Sequence, residues 1–235
     1  MYMNIDEINE ELAVMQLSDS FFPTGLYSTS NGLEFLFSKN EIKGIEDIKK
    51  MIKVNIEQQI GPSDCVALEN ALENAEKGNF EKIIQADEMA FIMKPIKEIR
   101  KASTNSGIQL IKCVSEFVKD NDILNEYEKA VKGKKVHGIF PVAFAICCHA
   151  LQIRKEKSIT MLLYGFTVSV IGAALRLGLI QHLEGQKILH EVKPIIIQTL
   201  KENSNKSLSD MWQFAPQFDI IQMSHEKMDS KMFIT

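Results

Sequence analysis

Turn formers are scarce in this chain. Twelve glycines and six prolines are spread over 235 residues, and no stretch alternates apolar and polar residues as a half-buried strand would. That excludes sandwiches and barrels and leaves helices, so the expected fold class is all-α, a single-domain multi-helix bundle with extended terminal segments. Internal repeats and heptads are also missing. No G-x-x-x-x-G-K-[ST] or G-x-G-x-x-G loop is present, so the chain has no recognisable nucleotide cradle. No G-x-S-x-G elbow or Ser–His–Asp order points to a hydrolase. There is no basic excess: the net charge is −4 and the pI about 5.8, which argues against nucleic acid. The Lys132–Lys135 cluster reads as a solvated loop. The four cysteines form no C-x-x-C pair, and the acidic N-terminus is not followed by an apolar signal core. A cytoplasmic protein with reduced thiols is the expectation.

What is there is helical periodicity. Ile8, Leu12 and Met15 fall at helical spacing after Asp6, a candidate N-cap. A second helix is expected from about Ser30 to Lys39, with Gly32 inside it. A third carries Ile45, Ile48, Ile52 and Ile56, and Gly61-Pro62-Ser63-Asp64 should stop it and cap a fourth. Asn79 should cap a fifth, which Pro95 ends. The sixth, from Ile96 to about Lys119, has a middle of small polar residues (Ala102-Ser103-Thr104-Asn105-Ser106-Gly107) that would admit a close neighbour. Ile123, Tyr127 and Val131 mark a seventh helix, and Pro141 opens an eighth. Ser158–Ile180 is the longest apolar run. It is long enough to span a membrane, but Thr160, Thr167, Ser169 and Arg176 interrupt it, and we read it as a buried central helix. A kink is expected at Pro194. Asn203–Ser209 reads as mobile. Two units follow: residues 1–202 as the helical body and 203–235 as a C-terminal tail whose apolar residues either dock or await a partner.

Candidate chemistry is thin. His225-Glu226-x-x-Asp229 resembles H-E-x-x-H with the second histidine replaced, so a small helical metalloenzyme using these three residues is one alternative. Cys147-Cys148-His149 cannot all face one ion from a single helix and reads as packing. His182 and His190 read as solvent-facing or as partner contacts. Arg176, among Ala173, Ala174, Leu175 and Leu177, needs a carboxylate, carbonyl or interface partner. Glu34, wedged between Leu33 and Phe35, is a chemically suitable mate for it. A membrane-associated protein using Ile159–Ile180 is a third reading.

One stretch organises the rest: Gln16–Phe37, a rigid turn at Phe22-Pro23-Thr24-Gly25, an apolar surface and an acid. Its Pro23, Gly25, Tyr27, Ser28, Ser30, Gly32, Leu33 and Glu34 resemble the opening of the UreF family of urease accessory proteins. Arg100-x-x-Ser103-x-x-x-Gly107, the segment from His137 with Pro141, Val142 and Phe144, and Ala173-Ala174-x-Arg176-Leu177 followed by Gly185-Gln186 resemble later family segments. So does the tail, through Pro216, Asp219, Ile220, His225, Glu226 and Phe233. The chain departs from the family at Leu179–His182, at Lys231 in place of arginine, and at Thr29 in place of a frequent histidine.

The resemblance implies an all-helical, non-catalytic scaffold for nickel insertion that forms a homodimer. It would bind a UreD/UreH-type accessory protein and recruit a UreG-type GTPase to the urease apoprotein. Nickel would be handled by the complex, with no cofactor, nucleic acid or membrane bound by this chain. It implies that Pro216, Asp219, His225, Glu226 and Phe233 touch the UreD/UreH-type partner. Pro23, Gly25, Tyr27, Ser30, Gly32 and Glu34 would form an N-terminal functional surface. Arg176, read from its own chemistry, is expected either in a structural ion pair or at a snorkelling helix end, or lining a polar passage or partner interface.

Overall fold

A computed structural model describes residues 4–19, 21–25 and 28–235. Among them every regular element is helical, as the scarcity of strand patterns predicted. Asn4, rather than Asp6, caps α1 (Ile5–Ser18) in a reciprocal capping box with Glu7; Asp6 sits in the first turn. Glu10 turns inward, where Arg154 and Lys157 hold it, together with Ala13 and Leu17, so Ile8, Leu12 and Met15 face outward. α2 (Leu33–Ser38) starts later than expected. Asn31 and Gly32 both take positive φ (54° and 90°), so Gly32 is the cap before the helix and not a residue within it.

Gly61-Pro62 does not stop the third helix. α3 (Ile45–Asn55) runs through a π-helical stretch, Ile56–Cys65, directly into α4 (Val66–Glu76). The wider turn accommodates a proline that has no N–H to give. Carbonyls freed there are taken by outside donors: Trp212 N–H binds Pro62 O at 3.2 Å and Phe214 N–H binds Gln58 O at 2.9 Å. The missing side chain at Gly61 lets Thr199 of α11 (Lys193–Asn203) pass across the same turn.

Asn79 caps α5 (Phe80–Ile92), as its sequence predicted. α6 (Lys97–Phe117), α7 (Asp122–Lys132) and α8 (Phe140–Ala150) follow. α6 packs closely on α8 because a Cβ on Gly107 would collide with the Gly138 carbonyl. Asp87, fully buried on α5, accepts hydrogen bonds from Tyr127 Oη (2.6 Å) and from the backbone N–H groups of His137, Gly138 and Ile139. One carboxylate thus fixes α5, α7 and the entry to α8. Burial pushes its carboxyl up, and these donors pull it part of the way back.

The enclosed helix is α8, with every side chain from Phe140 to Cys148 buried. α9 (Lys155–Arg176), expected as the buried centre, is only partly covered: Tyr164 and Val168 remain about 40% exposed. It is long and apolar enough to cross a membrane, but 56% of its most apolar window is buried against the other helices. α10 (His182–Glu191) and α11 bend at Val192, with Pro194 in the first turn of α11. The Asn203–Ser209 segment, expected to be mobile, is tied to α4. Buried Glu69 accepts Asn205 N–H at 3.0 Å and Lys155 Nζ at 2.8 Å, and Asn70 reaches the Lys206 carbonyl at 2.8 Å. α12 (Pro216–Glu226) packs on α2 and α6, and residues 227–235 lie across the N-terminal turn as a strap. All four cysteines are unpaired, and burial pushes the Cys148 thiol up to about 12.

Candidate partner-binding site

The two ends of the chain meet at one place. The strap backbone pairs with the N-terminal turn: Ile234 N–H donates to Ser28 O at 2.8 Å, and Ser30 N–H to Thr235 O at 2.8 Å. Ser30 Oγ also donates to Thr235 O and accepts the Glu34 N–H at 3.3 Å. Gly32 is required by close approach as well as by its φ, since a Cβ there would stand 2.8 Å from Ile221 Cγ2 of α12.

Glu34 is the anchor. Its carboxylate accepts Met232 N–H at 2.6 Å and Phe233 N–H at 3.1 Å, and faces His225 Nε2 at 3.0 Å. Burial alone would raise its carboxyl. The His225 hydrogen bond, the two strap amides and the imidazole charge outweigh that and hold it below the usual carboxylate range. The His225 side chain is completely buried, and its other nitrogen, Nδ1, lies 2.7 Å from Glu98 Oε2. Glu98 Oε1 in turn holds Lys231 Nζ at 2.8 Å. The result is an alternating line, Glu34–His225–Glu98–Lys231, that stitches α2, α12, α6 and the strap.

Arg176 reaches the same place from α9. Its guanidinium carbon lies 4.3 Å from the Phe233 ring centroid, and Nε donates to Gly172 O at 3.0 Å. The suggested Glu34–Arg176 pair is not formed; Phe233 lies over Arg176, and Glu34 is committed to the strap and His225.

The structure therefore brings together Ser30, Gly32, Glu34, Arg176, His225 and Phe233. Pro23 and Gly25 lie to one side, exposed, on an open pocket with Ala102, Asn105, Ser106 and Ile234. Pro216 begins α12 on the surface. Asp219, part-buried, accepts Gln59 Nε2 at 3.2 Å, and burial pushes its carboxyl up. Tyr27 lies outside the described residues. Glu226 is exposed, and its carbonyl rather than its side chain meets Lys231. Sequence reasoning missed Glu98. An acid in the first turn of α6 looks like an ordinary response to the helix dipole, so nothing in the sequence sets it apart.

The His225, Glu226 and Asp229 trio does not assemble, because His225 points inward while the two acids face solvent. Among the described residues no group of three or more His, Cys, Asp or Glu side chains could hold a metal ion. Behind the strap lies a cavity of about 350 Å³, walled by Leu17, Phe22, Phe140, Phe144, Met161 and Leu162, with the Asp64–Lys94 ion pair (2.7 Å) at its side. The Arg100–Gly107 segment serves packing: Arg100 lies over Phe91, Ser103 Oγ accepts Phe140 N–H, and Gly107 meets the start of α8. Lys231, standing where the resembled family has arginine, still makes an ion pair, and Thr29 Oγ1 lies 2.9 Å from Ser169 Oγ on α9.

Comparison with known proteins shows the family. The UreF family model matches residues 42–193. Urease accessory protein UreF of Trichodesmium erythraeum (strain IMS101) is 33% identical over 227 residues, covering 97% of each chain. The protein of that name from Bacillus sp. (strain TB-90) is 29% identical over 97% of this chain and all of its own length. That from Actinobacillus pleuropneumoniae serotype 5b (strain L20) is 22% identical over 95% of this chain and 98% of its own. Matched over most of its length by the family model and end to end by these relatives, the chain belongs to the UreF family of urease accessory proteins.

Proposed function

We propose that this chain acts by binding rather than by catalysis, as a cytoplasmic scaffold for maturation of the urease nickel centre. In this reading the stretch from residue 203 onward is its handle for a UreD/UreH-type protein. The assembled pair, built on a homodimer of this chain, recruits a UreG-type GTPase to the urease apoprotein. Nickel is cargo of the complex. The N-terminal surface around Pro23, Gly25 and Tyr27 is a second contact region.

The observation that carries this reading is the docked strap. Glu34, His225 and Arg176 fix its inner side, while Met232 and Ile234 stay 64% and 53% exposed. On α12, Ile220 (60%) and Met223 (45%) are exposed as well. A rigid backbone with presented apolar side chains suits an interface, because little ordering entropy remains to be lost.

The test is co-purification of the full chain with the UreD/UreH-type and UreG-type proteins of the same organism, beside an Ile220→Asp/Met223→Asp variant checked by helical circular dichroism. Capture by the wild type and loss in the folded variant is the expected result. A folded wild type that captures neither protein overturns the scaffold reading; a variant that still captures the first overturns the role of the tail.

A further inference from the structure

α1 carries a second apolar face that nothing in the described chain covers. Ile5, Ile8, Leu12 and Met15 succeed one another at intervals of three, four and three, which places them on one side of the helix. They are 72%, 39%, 58% and 65% exposed. The opposite side holds the helix to the body through Ala13, Leu17 and the Glu10–Arg154 and Glu10–Lys157 ion pairs (2.9 and 3.0 Å). α1 is thus clamped from beneath and presents four large side chains as a rigid row.

The charges around the row limit what can cover it. Ile5–Ser18 contains no Lys, Arg or His, and its acids are Asp6, Glu7, Glu10 and Glu11. Arg154 and Lys157 engage Glu10 and Glu11 from below, and Glu7 closes the cap, leaving Asp6 exposed at the head of the row. A second copy of α1 laid on this face would bring two cation-free acidic helices together. An anionic lipid surface would meet the same repulsion, since helices that lie on membranes carry Lys and Arg on the polar face. An apolar groove with a basic rim satisfies both the row and the acids.

We infer that the outward row of α1 is a helix-in-groove anchor for a different protein, one whose apolar groove is rimmed by Lys or Arg. The inference rests on the scaffold reading, in that this protein is a member of the same maturation complex.

The test uses the full chain as wild type, Leu12→Glu/Met15→Glu, Leu12→Ala/Met15→Ala and Asp6→Lys. Each is titrated against the purified UreD/UreH-type protein, the UreG-type protein and the urease apoprotein at low and high salt. Self-association is followed by sedimentation, and binding to phosphatidylglycerol–phosphatidylcholine vesicles by flotation. All three substituted positions, Asp6, Leu12 and Met15, are on the surface, and the alanine variant guards against misfolding. For one of the three proteins, the expected result is a Kd raised about tenfold or more by the glutamates and less by the alanines. Asp6→Lys should weaken the same complex at low salt and lose most of that effect at high salt. Unchanged affinity for every protein that the wild type binds overturns the inference and leaves the scaffold reading standing. Self-association or vesicle binding abolished by the glutamates also overturns it, in favour of a second copy or a lipid surface. A wild type that binds none of the three removes both readings together.

Discussion

Glu34 and His225 are 191 positions apart in the chain and 3.0 Å apart in the fold. The contact closes the molecule, because the same carboxylate also takes the amides of Met232 and Phe233. Substituting Glu34→Gln removes the charge facing the buried imidazole and weakens both strap hydrogen bonds. Breaking one side of a buried pair costs about 3–5 kcal/mol. Denaturant unfolding should show a loss of that order, and hydrogen exchange should show Met232 and Phe233 amides exposed. Amides that stay protected in a folded variant would mean that Glu34 is not the anchor.

Phe233 should separate ring from bulk. It is 3% exposed, with the Arg176 guanidinium over its face. Phe233→Ala should cost about 3–5 kcal/mol by leaving a cavity, whereas Phe233→Leu keeps most of the volume and loses the cation–π contact, worth about 0.5–2 kcal/mol. Limited proteolysis of the strap should therefore rank alanine well above leucine, and leucine just above wild type. Equal cleavage of the leucine variant and the wild type would remove the guanidinium contact from the account.

Acid should loosen α1 through Glu10. The Arg154 side chain beside it, helped by Arg154 N–H and Lys157 against the cost of burial, lowers its carboxyl from 4.5 to about 2. A lowered folded value stabilises above the unfolded value and is lost as pH falls through the folded one. The contribution of Glu10 is therefore intact above about pH 4.5 and declines towards pH 2. Glu34, also lowered, acts in the same direction. Urea midpoints should show Glu10→Gln less stable than wild type at neutral pH, with the gap closing in that acid window. A gap that stays constant down to pH 2 would contradict the ion-pair assignment.

Two glycines should respond with opposite signs. Alanine at Gly107 would press on the Gly138 carbonyl and stand 3.0 Å from Phe140 N, forcing α6 off α8 at a cost of about 1–3 kcal/mol. At Gly165, inside α9, an added Cβ meets nothing within 4 Å, so Gly165→Ala should stabilise by about 0.4–1 kcal/mol. Thermal unfolding of the two variants measures both: a Gly107→Ala variant as stable as wild type would show that the α6–α8 spacing does not depend on Gly107, and a destabilised Gly165→Ala would show that α9 is not open at that position.

Helix identity was legible wherever apolar spacing and caps agreed, as for α5 behind Asn79 and α7 ending at Gly133. It failed at Gly61-Pro62, where a π-helical turn and outside donors make a proline tolerable, and at Gly32, where φ rather than helix interior explains the glycine. In both cases the deciding partner, Thr199 with Trp212 in the first and Ile221 in the second, lies far along the chain. The candidate site was half legible. Glu34, Arg176, His225 and Phe233 all stand out in the sequence, but charge type suggests Arg176 as the mate of Glu34, since it names a class of partner and not the neighbour.

The sequence by itself determined an all-helical chain and offered, at its two ends, the residues that resemble the family's segments. Those follow from local terms: periodicity, capping and the steric limits of glycine and proline. Only the tertiary structure decided that His225 lies buried between Glu34 and Glu98, that α8 rather than α9 is the enclosed helix, and that the apolar row of α1 faces outward. Such outcomes depend on which distant groups arrive at one point, and desolvating a charge there is tolerable only when its counter-charge arrives with it.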